Sequence, residues 1–396
     1  MTYSLTSEQI AFQDMLRRVA RERVAPRANE IDRTDEYPHD MFELLKELDL
    51  FALPFSEEFG GTGSMLSACL AVEELNRVCY ATPYLLVMQW VPCEALQAAG
   101  NEEQKKRFLP RLCSGELRAA FSLTEPQSGS DVSGIKTRAV RVDGGYRING
   151  AKIWCTNSNM ADFVLVAAKV YRDSDQPVGI NLFIIEKNTP GFTVGPKEDK
   201  MGARGMASCP LFLDDVFVPD ANRLGPEGNE GFKSVMESLA LGRPIISARA
   251  VGLAQGAIDH AVEFVKSRFA FGQNVSDFQG VRWMLADMQM QTEAARQMVY
   301  RNAYMIDQGA SGLELASMFA MTKAFSTDVA MKVATDAVQL FGAAGISNEY
   351  PINRYFRNAK VLQIVEGTNQ IQRNIIADNL LGRTSRKNRT GAPPAP

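Results

Sequence analysis

The chain has 396 residues, with 43 Lys plus Arg against 46 Asp plus Glu and 45% hydrophobic residues. That length suggests roughly two to three domains. The near-neutral charge excludes a nucleic-acid binder working by broad phosphate neutralisation, and the apolar content excludes global disorder. His39 and His260 are the only histidines, so a His-rich metal cluster or a Ser-His-Asp triad would have to be built from these two alone. The cysteines (Cys69, Cys79, Cys93, Cys113, Cys155 and Cys209) show no CxxC and no zinc-like spacing. They read as reduced core residues, and no metal site is expected. No apolar run reaches about 18 residues, and Leu5 to Gln9 reads as a helix start rather than a signal peptide. No membrane span and a cytoplasmic location are therefore expected. An enzyme of this composition would take its acid–base chemistry from a carboxylate and its harder chemistry from a cofactor.

Three zones follow in chain order. Residues 1–118 carry a helical period with Gly- and Pro-containing breaks, one of them Phe59-Gly60-Gly61-Thr62-Gly63. Residues 119–231 shift to short β-rich runs such as 163–168, 180–185 and 211–218, with Asp143-Gly144-Gly145 as a hairpin turn. Residues 232–382 return to helices. In the first of them Val251, Ala254, Ile258, Val262, Val265 and Phe269 share a face, and Gly252 and Gly256 permit close packing. Residues 383–396, basic and then Pro-rich, read as a disordered tail.

Two distant segments could carry chemistry. Phe121-Ser122-Leu123-Thr124-Glu125-Pro126-Gln127-Ser128-Gly129-Ser130-Asp131 offers hydroxyls and backbone amides to a polar ring or a phosphorylated ligand, or is simply a capped interdomain loop. In Ile364-Val365-Glu366-Gly367-Thr368-Asn369-Gln370, Glu366 follows apolar residues and opens a helix. It is either a base with a desolvated, raised pKa or an acid placed at a helix N-terminus. His260 reads as a surface residue, Cys155 as a buried small hydrophobe, and Glu125 and Asp131 as loop-capping carboxylates.

Together, and with the helix–strand–helix layout, these segments resemble the acyl-CoA dehydrogenase family of flavoproteins over about Thr6 to Leu381. Other motifs in order add to the resemblance: Glu58 to Gly63 before Glu73-Glu74-Leu75, Lys152 with Trp154-Cys155-Thr156-Asn157, and Met201-Gly202-Ala203-Arg204 before Val216 to Pro219. They continue with Arg268 to Gly272, Phe278-Gln279, Leu285 to Met288, Tyr350-Pro351 and Arg357 to Lys360. No GxGxxG follows a strand, so no Rossmann fingerprint points to the cofactor. The resemblance implies an α+β multidomain fold: an N-terminal helical domain, a middle β-barrel-like domain and a C-terminal four-helix bundle.

It also implies FAD as cofactor. Phe121, Leu123 and Thr124 would line the flavin, with Trp154 and Thr156 over its other side. Arg268, Phe271 and Gln279 would come from a neighbouring subunit, Gln339, Gly342 and Gly345 would meet the adenine half, and Thr368 and Gln370 would reach the cofactor after the base. Ser130 and Arg243 match CoA-contacting positions, and Gly367 and Val365 flank the base in the acyl site. Glu366 would take the α-proton of the acyl-CoA while hydride passes from the β-carbon to flavin N5, giving the trans-2-enoyl thioester. Relatives that carry the base before the arginine matching Arg243 differ here, because this chain has Gly242. Shared sites imply a homotetramer, and an electron-transfer flavoprotein is the implied acceptor.

Several positions depart from the family pattern. Ala240 replaces an acidic residue, Gly342-Ala343-Ala344-Gly345 replaces Gly-Gly-x-Gly, and Val365 replaces an aromatic residue. Gln89 and Trp90 fall where relatives line the acyl tail, which suggests a short, branched, cyclic, aromatic or polar acyl group. Ala240 leaves open a carrier-protein-bound substrate. An oxygen-using or non-catalytic relative of the fold is a further alternative, against which Glu366 argues.

Overall fold

The structure is a computed structural model that describes residues 4–172, 175–310 and 313–382; the 383–396 tail lies outside the described residues. The helix start at Thr6 is a capping box: Thr6 Oγ1 accepts from Gln9 N at 3.2 Å and Gln9 Oε1 from Thr6 N at 3.0 Å. It opens α1 (Ser7–Val19), which continues through a π-helical turn into α2 (Ala25–Thr34). Then come α3 (His39–Glu47), α4 (Met65–Asn76), α5 (Ala81–Ala99) and α6 (Glu102–Cys113). The strands follow as β1 (Ala119–Ser122), β2 (Arg138–Val142), β3 (Gly145–Thr156), β4 (Phe163–Tyr171), β5 (Gly179–Glu186), β6 (Phe192–Val194), β7 (Ser208–Pro219) and β8 (Arg223–Leu224). The Asp143–Gly145 turn joins β2 to β3 with Val142 opposite Gly145, and Gly144 supplies the φ of 72°.

The middle sheet corrects the barrel expectation. Its strands run β6-β7-β3-β2-β4-β5-β8, with β1 also paired to β4, and the terminal strands β6 and β8 do not pair with each other. Closure would need a ladder between them, yet β8 spans two residues and β6 three. The sheet is bent instead by register shifts between β3 and β7, at Ile148/Gly150 and Lys152/Cys155. β1 and β2 lie in succession along the same strand, both parallel to β4.

The C-terminal bundle rests on α8 (Arg243–Ser267), α9 (Gln279–Asp307) and α10 (Leu313–Phe341), preceded by α7 (Glu230–Leu241) and closed by α11 (Ile352–Leu362) and α12 (Asn369–Leu380). A small hairpin, β9 (Phe269–Ala270) with β10 (Gln273–Asn274), links α8 to α9. The small face of α8 has a definite use. A Cβ at Gly252 would lie 2.2 Å from the Glu73 carbonyl and one at Gly256 1.9 Å from that of Arg77, so α4 approaches to backbone contact. One apolar core therefore runs continuously from α1 through α5 into α8–α11, while a second fills the interior of the sheet. The segment Leu315–Ile346 is long and apolar enough to cross a membrane by length and composition alone, a test that a core helix also passes. In the structure α10 packs among α8, α9, α11 and α12.

Candidate active site

The two distant segments meet across α5. β1 delivers Phe121, and Leu123 and Thr124 follow it, all half-buried. Ile153 N donates to the Thr124 carbonyl at 3.0 Å, which lays this loop beside the end of β3, where Trp154 and Thr156 sit. Trp154 adopts φ 58° and its side chain is 53% exposed, a planar indole turned out of the sheet. Thr156 Oγ1 lies 2.9 Å from Ser208 Oγ and 3.5 Å from the Tyr84 hydroxyl of α5. Ser122 Oγ is buried beside them and finds no partner among the described residues. An aromatic platform, hydroxyls and a buried unpaired oxygen fit a planar, hydrogen-bonding ring such as a flavin.

Beneath this loop lies a buried ion pair. Glu125 accepts from Lys152 Nζ at 2.8 Å, Thr137 N at 3.0 Å, Lys136 N at 2.5 Å and Gln127 Nε2 at 2.5 Å. Burial pushes its pKa up, but the hydrogen bonds from Lys152, Thr137 and Lys136 outweigh it and hold the carboxyl at about 2. Lys152 also donates to the Leu123 carbonyl at 3.1 Å and so fixes the backbone of the ring-lining segment. Burial lowers the Lys152 ammonium despite its partner, so the stabilisation of the pair resides on the carboxylate.

Glu366 sits in the turn between α11 and α12 with φ 54°, followed by Gly367 at φ 86°. The turn is tied down from below. Lys323 of α10, fully buried, donates to the Gly367 carbonyl at 2.9 Å and to Asn369 Oδ1 at 3.0 Å, and Gln372 Nε2 reaches Gly367 O at 3.0 Å. Thr368 caps α12 by accepting from Ile371 N at 3.3 Å. The Glu366 side chain is exposed, but into a cleft walled by protein rather than to open solvent. Burial in that cleft raises its pKa, and Arg249, Lys323 and Arg243 pull it back. The burial of Lys323 lowers its own pKa to about 8, with Glu366 and Asp328 opposing. Lys323→Met should cost about 2–3 kcal/mol, the size of a lost charged hydrogen bond, and slow turnover roughly tenfold as the loop loosens. Thermal unfolding and single-turnover reduction would measure the two effects.

Sequence reading did not single out two ionisable groups near Glu366. Glu94 of α5 lies against Gly242, where a Cβ would be 3.4 Å and 3.6 Å from its carboxylate oxygens. Burial pushes its pKa to about 8, and Glu366 adds to the shift. Arg249 of α8 is 0% exposed and lies against Tyr80 and Tyr84, whose ring centroids are 4.3 Å and 4.2 Å from its Cζ.

The remaining sequence expectations divide. Arg243 stands at the start of α8, half-buried, with Nη1 unpaired among the described residues and its pKa lowered by burial while Glu366 opposes. Val365 is half-buried next to the base, and Ser130 and Gln370 are exposed. Arg268, Phe271, Gln279, Gln339 and Gly342 are exposed on the bundle, whereas Gly345 is buried 2.4 Å, at its Cβ position, from Val338 O. Gln89 and Trp90 are turned away from the cleft. Gln89 Nε2 donates to the Leu112 and Leu117 carbonyls at 2.9 Å and 2.6 Å, and Trp90 Nε1 to that of Phe51 at 2.9 Å. Tyr84, Met88, Val91 and Glu94, spaced three or four residues apart, share the opposite face of α5. His260, read as a surface residue, is half-buried edge-on to Tyr355 at 5.4 Å. All the cysteines are buried and free, and no group of metal-ligating side chains occurs among the described residues.

Comparison with known proteins agrees with this geometry. The N-terminal, middle and C-terminal domains of acyl-CoA dehydrogenase match residues 6–116, 120–216 and 229–381. An acyl-CoA dehydrogenase of Bacillus subtilis is 42% identical over 382 residues, 96% of this chain and 100% of the relative. The cyclohexane-1-carbonyl-CoA dehydrogenase of Geobacter metallireducens is 40% identical over 95% of this chain and 98% of its own. Butyryl-CoA dehydrogenase from Megasphaera elsdenii superposes with a TM-score of 0.90 at 39% identity, covering 96% of this chain and 100% of that one. A chain from a structure of the electron transferring flavoprotein of Acidaminococcus fermentans gives 0.90 at 41% identity, covering 96% and 100%. An FAD complex of PigA gives 0.87 at 30% identity, covering 97% and 100%. The fold and cleft are those of a flavin-dependent oxidoreductase, and the chain belongs to the acyl-CoA dehydrogenase family. Its cofactor is FAD, and its reaction is the dehydrogenation of an acyl-CoA thioester to the enoyl-CoA.

Proposed function

We propose that Glu366 is the base that removes the α-proton of the acyl-CoA thioester. The observation that carries this reading is its position: a carboxylate with a raised pKa, on a pinned turn, in a cleft shared with the Phe121–Thr156 cluster through Tyr84. FAD, when bound, supplies the hydride acceptor. Phe121, Leu123, Thr124, Trp154 and Thr156 would hold its ring, with the Ser122 hydroxyl beside them. The Glu366 N–H has no partner among the described residues, and it serves the thioester carbonyl, stabilising enolate character as the proton leaves. Arg243, at the cleft mouth, takes the CoA side. Burial holds the neighbouring Glu94 at about 8, so it is a weaker acid than ordinary carboxyl groups and no ready proton acceptor at neutral pH.

The exposed Arg268, Phe271, Gln279, Gln339 and Gly342 lie on elements that also expose Phe269 (64%), Phe271 (94%), Trp283 (61%) and Ile346 (79%). Such an apolar surface supports a homotetramer in which these residues complete a neighbour's FAD site. Buried, free thiols support a reducing, cytoplasmic setting, and an electron-transfer flavoprotein is the acceptor in this reading.

Anaerobic addition of acyl-CoA thioesters to the purified yellow protein tests the function. The flavin absorbance should bleach with at least one thioester, and transfer to an electron-transfer flavoprotein should restore it. Failure of every acyl-CoA, while the same acyl groups on a carrier protein bleach the flavin, would overturn the CoA assignment.

A further inference from the structure

Arg249 tempers the raised pKa of Glu366, but that role does not account for the unpaired donors of its buried side chain. Its side chain is 0% exposed, and Nε, Nη1 and Nη2 all lack a hydrogen-bond partner among the described residues. The rings of Tyr80 and Tyr84, whose own centroids are 5.7 Å apart, approach its Cζ at 4.3 Å and 4.2 Å. Cation–π contact satisfies the faces of a guanidinium but leaves the donors round its edge unpaired. The buried Tyr80 hydroxyl beside it interacts with the guanidinium but brings no negative charge. A buried cation with no acceptor is strongly unfavourable and is ordinarily paired. The sequence around it, Ile245-Ile246-Ser247-Ala248-Arg249-Ala250-Val251, offers no acid. Acidic Glu366 feels its charge but makes no hydrogen bond to it.

The surroundings place Arg249 on the acyl side of the cleft. Tyr84 reaches Thr156 in the ring-lining cluster at 3.5 Å, and both Tyr80 and Tyr84 feel the Glu366 carboxylate. The cation therefore lies between the base and the cofactor-lining residues, where the acyl carbons beyond the thioester must pass. A plain hydrocarbon chain there would give the guanidinium no acceptor.

We propose that Arg249 binds a carboxylate carried by the acyl group, so that the substrate is the mono-CoA thioester of a dicarboxylic acid. The planar fork of a guanidinium suits a carboxylate with two parallel hydrogen bonds, and Tyr80 and Tyr84 hold it in one orientation. This inference rests on the Glu366 reading and narrows its substrate. It also replaces the Gln89 and Trp90 expectation, since those side chains are spent on backbone carbonyls.

The test compares matched pairs on the FAD-loaded enzyme: succinyl-type, glutaryl and adipyl thioesters of CoA, substituted or not, against neutral acyl-CoAs of the same carbon skeleton. At least one dicarboxylic member should exceed its neutral match in kcat/KM by about 10- to 100-fold, the worth of one charged hydrogen-bonded contact. Arg249→Met should bring that ratio to about one, and Arg249→Lys should keep part of it. The ratio is the informative readout, because any effect of the lost charge on Glu366 falls on both substrates alike. A wild-type enzyme that prefers every neutral match overturns the proposal. So does an Arg249→Met enzyme that keeps the dicarboxylate preference, or one whose only defect is weaker FAD binding with the ratio intact. Should Arg249→Met not fold, the Arg249→Lys ratio decides in the same way. Bleaching by no thioester of either kind would instead sink the dehydrogenase reading itself, and this proposal with it.

Discussion

Glu366→Gln should retain FAD and lose thioester-dependent bleaching by about a thousandfold or more, the upper range of what a positioned general base contributes. Gln keeps the size and one acceptor but cannot take a proton. Glu94 cannot substitute, because burial keeps it protonated up to about pH 8. The pH profile follows from the direction of the Glu366 shift. Burial raises its pKa while Arg249, Lys323 and Arg243 oppose, so activity falls with decreasing pH at a higher pH than an ordinary carboxylate would give. The groups that set this profile are Arg249 and Arg243 on α8, Lys323 on α10, Glu94 on α5, and the phenols Tyr80 and Tyr84. The same shift has a consequence for stability. A carboxyl whose folded pKa is raised favours the folded state below its unfolded pKa and loses that advantage as pH rises through the folded value. At neutral pH the Gln variant should therefore melt no lower than wild type. A variant that still bleaches at the wild-type rate would remove Glu366 from its role.

The residues differ in how readily the sequence exposed them. Glu366 was legible as a candidate because a carboxylate, a following glycine and a helix start sit together in a short segment, although only the family resemblance gave it the role of base. Its partners were not, since Arg249, Glu94 and Lys323 come from three separate helices, and only the folded bundle brings their charges to one carboxylate. Arg249 did leave a signal: a lone cation in an otherwise apolar helical run, on a segment already read as core. Gln89 and Trp90 show the opposite error. They stand beside Met88 in sequence, but their side chains donate to the Leu112, Leu117 and Phe51 carbonyls, partners that only the folded chain brings within reach. The barrel expectation failed for a related reason. Strand runs can be read locally, whereas closure depends on whether the edge strands β6 and β8 meet, which no local pattern encodes.

Lys152→Met should destabilise the protein by about 3–5 kcal/mol, as expected when one partner of a buried ion pair is removed. Lys152 is 0% exposed and Glu125 3%, so the remaining carboxylate could not turn to water. The change also frees the Leu123 carbonyl, which Lys152 holds at 3.1 Å. FAD affinity should therefore fall together with stability, measurable as flavin released on dilution. Glu125→Gln should be milder, because Gln can still accept from Lys136 N or Thr137 N, although it leaves Lys152 as an unpaired buried cation. Acidification separates charge from packing in this pair. Glu125 is held at about 2, below its unfolded value, so its contribution is present above the unfolded pKa and is lost as pH falls towards 2. Wild type and Lys152→Met should thus converge in stability on acidification between those two values. A constant gap across that window would show that the pair contributes through packing rather than charge. Convergence would instead show that a single hydrogen-bonded carboxylate beneath the ring-lining loop links flavin retention to acid stability in this fold.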